Sequence, residues 1–321
     1  MNFELLISNV TNPAFLFFIL GIIAVKLKSD LEIPANSSKF ISLYLLFSIG
    51  FKGGQELSHE TFSAEIIWSM LFGIVISLLI PVYTFFILKR KMSIYDAGAI
   101  AAAYGSVSAV TFVTAVSYLE FQKMEFHGHM VAIMALMESP AIIAGLILMS
   151  IYNREEASTI NKASVIKHSF TNGSVLLILG SLIIGLLANA KQAEGIRPFT
   201  NDIFKGFLAI FLLDMGITSG RKLGAFISNG WFPVLFAIVI PFINGCAVAA
   251  LSSFVTHDVA NRFMFAVLAA SASYIAVPAA MKLAVPKANA GLYIPMALAI
   301  TFPFNITFGM PIYLGLIIHF F

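Results

Sequence analysis

Leu46-Phe-Ser-Ile-Gly-Phe-Lys-Gly-Gly-Gln-Glu-Leu57 returns further along the chain as Leu212-Leu-Asp-Met-Gly-Ile-Thr-Ser-Gly-Arg-Lys-Leu223. Gly50 falls on Gly216, about half the chain away. Other echoes keep the same order and nearly the same spacing. Gly105-Ser-Val-Ser108 answers Ala270-Ser-Ala-Ser273, Met134-Ala-Leu136 answers Met296-Ala-Leu298, and Pro140 answers Pro303. Repetition at a constant offset marks duplicated structural units. The chain therefore reads as two copies of one unit, 1–152 and 173–321, joined by a polar stretch, 153–172.

The residues around these echoes are apolar. Of 321 residues, 59% are hydrophobic and 11% charged, where a soluble domain carries about a quarter charged. Apolar runs able to cross, or nearly cross, a ~30 Å hydrocarbon core recur along the whole chain. They fall at 13–27, 39–57, 64–88, 95–119, 129–152, 173–190, 201–220, 230–256, 260–284 and 288–320. The expected fold is an all-α polytopic membrane protein with ten transmembrane helices, numbered here as spans 1–10. Five spans per copy is an odd number, so the second copy is inverted in the membrane, as in many secondary transporters. Pro295, Pro303 and Pro311 predict kinks in span 10.

Thirteen of the 19 basic residues fall in the loops after spans 1, 3, 5, 7 and 9. These loops, with the linker 153–172, are expected in the cytoplasm, and both termini outside it, in a cell (inner) membrane. The first apolar run has no basic segment before it and reads as a retained helix rather than a cleaved signal. The net charge of +3 is spread over short loops, not gathered on one face, so it does not point to nucleic acid. Cys246 is alone, which excludes an intrachain disulfide, and it reads as a core residue.

The chemistry concentrates in spans 4 and 9. Span 4 reads Ala101-Ala-Ala-Tyr-Gly-Ser-Val-Ser-Ala-Val-Thr111, and span 9 reads Ala269-Ala-Ser-Ala-Ser-Tyr-Ile-Ala-Val-Pro278. Gly105 and Pro278 are helix breakers at mid-membrane. A broken helix exposes free N–H groups and a partial positive charge where its second half begins. Two such ends facing each other make an anion site. Ser106, Ser108, Thr111, Ser271 and Ser273 supply hydroxyl donors. Taken singly, either stretch is better read as small-residue helix packing; their equivalent places in the two copies favour a site.

Glu138, in Met137-Glu-Ser-Pro140, lies near the centre of span 5, where an ionisable side chain is costly and points to function. It can hold a coupling cation or a proton. Thr301 and Asn305 in span 10 offer oxygen atoms to Na⁺, by analogy with other hard cations. Asp214 in span 7 divides evenly between function and structure, and Lys52 reads as a snorkelling side chain. His127-Gly-His129, with Glu125, has the spacing for two metal ligands but shows no third. There is no HExxH, phosphate loop or GxSxG. That argues against an ATP-driven pump, and the isolation of Glu138 and Asp214 argues against an intramembrane enzyme. Clustering of polar residues at mid-depth argues against a channel.

Several of these stretches resemble the sodium-dependent bicarbonate transporters of the SbtA type. The likeness rests on Gly105-Ser-Val-Ser108 with Thr111, Met137-Glu-Ser-Pro-Ala141, Gly50 with Gly53-Gly54, and Ala269 through Ile306, including Pro286-Lys-Ala-Asn289 and Tyr293-Ile294. It spans both copies. It implies the ten-helix fold of bile-acid sodium symporters, with discontinuous spans 4 and 9 crossing at the site. A core of spans 3–5 and 8–10 would move like an elevator against a scaffold of spans 1, 2, 6 and 7. It also implies a homotrimer, and in some members a PII-like cytoplasmic regulator. Tyr274 stands where the family's run ends in an acid, and its O–H can donate to an anion. Ala109 and Val110 replace Gly and Ser, and Glu138 replaces Asp. The expected function is symport of a small anion, bicarbonate first, with Na⁺; another small carboxylate, or coupling to H⁺ through Glu138, is the alternative.

Overall fold

The computed structural model describes residues 13–61, 63–152, 173–227 and 230–320. The linker 153–172 and the N-terminal residues 1–12 lie outside these. The described residues form helices and connecting turns, with no strand among them. We number the helices α1 (Pro13–Lys26), α2 (Ala35–His59), α3 (Ala64–Leu88), α4 (Ile94–Gly105), α5 (Ala109–Phe121), α6 (His129–Tyr152), α7 (Gly173–Leu187), α8 (Ala190–Arg197), α9 (Phe204–Ile227), α10 (Trp231–Leu251), α11 (Val259–Ala270), α12 (Ala276–Ala284), α13 (Ala290–Pro295), α14 (Phe302–Phe304) and α15 (Met310–Phe320). Among the described residues, six segments are long and apolar enough to cross a membrane, including Ile94–Phe121 and Ala290–His319. The chain is a multi-pass membrane protein.

Local sequence sets the boundaries. Ser93 caps α4 by accepting from Asp96 N–H at 3.1 Å, and Asp258 caps α11 by accepting from Asn261 N–H at 2.7 Å. A short helix, α8, appears where a loop was expected; Asn189 and Gln192 form a reciprocal capping box there. The C-terminal span is continuous but loosened. Two π turns, Met296–Thr301 and Asn305–Gly309, fall between its prolines, so wide turns absorb the expected kinks.

Two crossings hold the outer helices together. α2 packs along α7, and α1 along α9. At the first, a Cβ on Gly54 would strike the backbone of Leu182 and Leu186, and one on Gly185 would strike Phe51 O. At the second, a Cβ on Gly21 would strike Leu213 O, and one on Gly216 would strike Phe18 O. Backbone meets backbone at both places, which the absence of a side chain permits. α3, α4 and α6 pack together, as do α10, α11 and α15.

Candidate functional site

The break in span 4 follows from three residues. α4 ends at Gly105, whose Cα side is filled by the Pro81 ring, so no side chain fits there. Ser106 then turns extended at φ −80°, ψ 173°. Ser108 restarts the helix as its N-cap, accepting from Thr111 N–H at 3.2 Å. The break in span 9 is built the same way. Ser271 turns extended at φ −83°, ψ 168°, and Ser273 Oγ accepts from Val277 N–H at 3.3 Å. Pro278 is not where the helix stops. It is the third residue of α12, in the first turn, where its missing N–H costs nothing.

The two breaks are hydrogen-bonded to each other. Ser108 N–H donates to Ser271 Oγ at 3.0 Å, and Ser273 N–H donates to Ala103 O at 2.8 Å. Ser271 Oγ–H goes on to Leu268 O at 2.8 Å. These backbone N–H groups are therefore spent on the crossing. In the first turns of α5 and α12, Thr111 and Val277 N–H are taken by Ser108 and Ser273 Oγ and Pro278 has no N–H, which leaves Ala109, Val110 and Ala276 as first-turn donors without a helical partner.

Both first turns open on one cavity of about 20 Å³, walled by Leu46, Val107, Ser108, Ala109, Glu138, Ser174, Ser273, Tyr274, Ile275 and Ala276. Glu138 makes no hydrogen bond or ion pair with any described residue. The Tyr274 hydroxyl is enclosed, lies near Ser108, and forms no hydrogen bond of good geometry. Ser106 Oγ is likewise buried without a partner. Ser108, Ser273, Tyr274 and Glu138 are thus brought together; Gly105, Thr111 and Ser271 shape the crossing behind them.

Thr301 and Asn305 lie elsewhere. Pro241 lacks an N–H and so frees the carbonyl of Ala237, one turn earlier. Thr301 Oγ1 donates to that carbonyl at 2.7 Å and receives the Tyr104 hydroxyl at 2.8 Å. Asn305 Nδ2 donates to Ala270 O, the end of α11, at 2.6 Å, and Tyr313 O–H donates to Asn305 Oδ1 at 3.2 Å. Both residues carry hydrogen bonds that freed backbone carbonyls demand. Asp214 is buried and accepts from Ser38 Oγ, across the α2–α9 contact. Asp214 also sits within electrostatic reach of Tyr274. His127 is engaged by Asn261 and His129 by Glu60, and the described residues hold no group of three metal-ligating side chains.

A family model of the Na⁺-dependent bicarbonate transporter superfamily matches residues 13–318. The chain belongs to that superfamily. No curated protein matches it. Ser271 is the acceptor that ties the two breaks together. Ser271→Ala leaves the buried Ser108 N–H without a partner, at a cost of about 1–3 kcal/mol. Ser108→Ala loses the α5 cap, at about 1 kcal/mol. Thermal unfolding in detergent should rank Ser271→Ala below Ser108→Ala, and both below wild type. An unchanged midpoint for Ser271→Ala would show that the two breaks do not lean on each other.

Proposed function

We propose that this chain is a secondary active transporter that imports a small anion, bicarbonate first, together with Na⁺, by elevator motion. The observation that carries the reading is one cavity lined by the first residues of two helices, α5 and α12, and by the carboxyl of Glu138, which bonds to no described residue. The N-termini attract an anion. Ionised Glu138 repels it: two like charges roughly 4 Å apart cost about 4 kcal/mol at an effective dielectric of about 20. A cation at Glu138 removes that repulsion and turns it into attraction. Anion and cation then bind together or not at all, which is the physical content of symport.

The cavity has room for about one water, less than bicarbonate requires. Leu46 from α2 and Ser174 from α7 close one side, and residues of the crossing helices close the other. Admission of the substrate thus calls for these groups to part. α1, α2, α7 and α9 form the scaffold in this reading, and α3–α6 with α10–α15 the moving core. The inverted repeats, 1–152 and 173–321 with ten spans, belong to the same proposal. Their support is the pair of glycine crossings, α1 on α9 and α2 on α7. That register equates Gly216 with Gly54, one helical turn beyond the echo at Gly50. On the family resemblance, the proposal includes a homotrimer, a PII-like cytoplasmic regulator, and an inner-membrane orientation with both termini outside. Thr301 and Asn305, offered by the sequence as oxygen donors to the cation, stand outside the cavity wall, where they bond to backbone carbonyls.

Proteoliposomes loaded with purified protein test the reading. An inward Na⁺ gradient should drive uptake of labelled bicarbonate above protein-free vesicles. A proton on Glu138 would neutralise the cavity equally well, since nothing else in it is acidic; uptake driven by a pH gradient without Na⁺ would select that reading. Acetate or formate uptake in preference to bicarbonate would change the substrate. No gradient-driven anion uptake would end the proposal. Tyr274→Phe removes the one phenolic donor in the wall, and apparent anion affinity should fall roughly tenfold.

A further inference from the structure

Gly128, at the start of α6, lies against the α2 backbone: a Cβ there would strike Gly53 O and Leu57 N. Val131 covers Gly53 from the α6 side. Charge pairs flank this close approach. Glu120, at the end of α5, takes Lys52 of α2 at 3.0 Å and Lys205 of α9 at 3.3 Å. Glu60, just past α2, takes His129 Nδ1 of α6 at 2.7 Å and also the His129 backbone N–H at 3.4 Å. Lys52, Glu60 and Lys205 belong to the scaffold helices of the reading above, whereas Glu120 and His129 belong to the core. The three pairs share one face of the molecule. The basic-residue count assigns that face to the outside. Lys52 was expected only to snorkel; its ammonium is instead committed across the seam between the two groups.

We propose that Lys52–Glu120–Lys205 and Glu60–His129 form a latch that holds the scaffold and the core together on this face, and that it must open for the substrate cavity to be reached from there. The proposal rests on the elevator reading for its division of helices. Its geometry is independent of what is carried. The seam has no slack at Gly53 and Gly128, so sliding of α5 and α6 together along α2 separates all three pairs at once. Beneath Lys52 and Glu120 lies a pocket of about 220 Å³ whose wall includes the buried side chains of Ile49 and Val116. An opened latch exposes these two.

The test reads exposure. Val116→Cys is placed in a Cys246→Ala background, and its modification by a membrane-impermeant thiol reagent is timed in sealed vesicles. Glu120→Gln removes two pairs and should speed modification roughly three- to tenfold. Glu60→Gln should give a smaller increase. Lys205→Gln, at a side chain 68% exposed, is the variant that folding tolerates, and it too should speed labelling. Lys191→Cys, exposed on α8, should label at one rate throughout. Equal Val116→Cys rates in all three latch variants would overturn the proposal. Bicarbonate uptake is measured in the same vesicles. Faster labelling without any uptake keeps the latch and removes the transport reading; uptake with unchanged labelling does the reverse.

Discussion

Glu138→Gln is expected to weaken the coupling of anion uptake to Na⁺ and to lower the affinity for Na⁺. Glu138 is the one carboxyl in the wall of the cavity, and no other described side chain bonds to it. Glutamine keeps the size and one carbonyl oxygen but carries no charge. A cation held there loses the one carboxylate counter-charge in the wall, in a space too small for a hydration shell. Loss of one charge-assisted contact costs about 1.5–3 kcal/mol. The Na⁺ concentration giving half-maximal uptake should therefore rise at least tenfold, to roughly a hundredfold. The anion responds in the opposite sense. Its repulsion by ionised Glu138 is gone, so it should bind at low Na⁺ better than in wild type. Calorimetric titration of bicarbonate with and without Na⁺ separates the two effects: in wild type the heats should appear only with Na⁺, and in the variant they should appear without it. Wild-type Na⁺ dependence in Glu138→Gln would return this residue to a structural role. Tyr274 adds a check, because the family resemblance implies an acid at this position; titration of two tightly bound Na⁺ per protomer would contradict a cavity with a single carboxyl.

Gly54→Val should cost the protein most of its folded yield. The added Cβ alone meets Leu182 O and the Leu186 amide of α7, and backbone cannot swing aside as a side chain does. The two helices must separate, and Gln55, which reaches the α7-end carbonyls of Gly185 and Ala188, moves with α2. Overpacking of this kind costs about 1–3 kcal/mol where side chains yield, so a backbone clash belongs at the upper end or beyond. Gly21→Val, at the α1–α9 crossing, should behave alike. Gly180→Val is the control: it lies on the same helix as Gly185, yet nothing comes within 4 Å of a Cβ built there. Size-exclusion profiles of detergent extracts should show loss of the monodisperse peak for the first two and its retention in the third. A normal profile for Gly54→Val would mean that α2 and α7 do not pack this closely.

Much of the architecture was legible in the sequence because the membrane simplifies the code. An apolar run must be helical, since lipid offers backbone groups no hydrogen bonds. Gly105 marked the break in span 4 correctly, whereas the break in span 9 lies at Ser271 and not at the Pro278 that the sequence offered. Ser106 and Ser271 do end α4 and α11 with nearly the same dihedrals. What hydropathy could not supply was the register between elements. Gly21 pairs with Gly216 and Gly54 with Gly185, a match decided by which backbones approach, not by which residues look alike.

The candidate site shows the same division. Composition alone determined that Glu138 is a costly residue in a dry place and that hydroxyls cluster near both breaks. Only the tertiary structure decided how they are shared out. It spent the Ser108 and Ser273 N–H groups on the crossing, and it gave Thr301 to the carbonyl freed by Pro241 and Asn305 to the end of α11. It set Glu138 beside Tyr274 and the first turns of α5 and α12. A hydrogen-bonding side chain announces its capacity in the sequence, but its partner is whichever buried group the fold leaves unsatisfied. That is a property of contacts distant along the chain, and no local spacing encodes it.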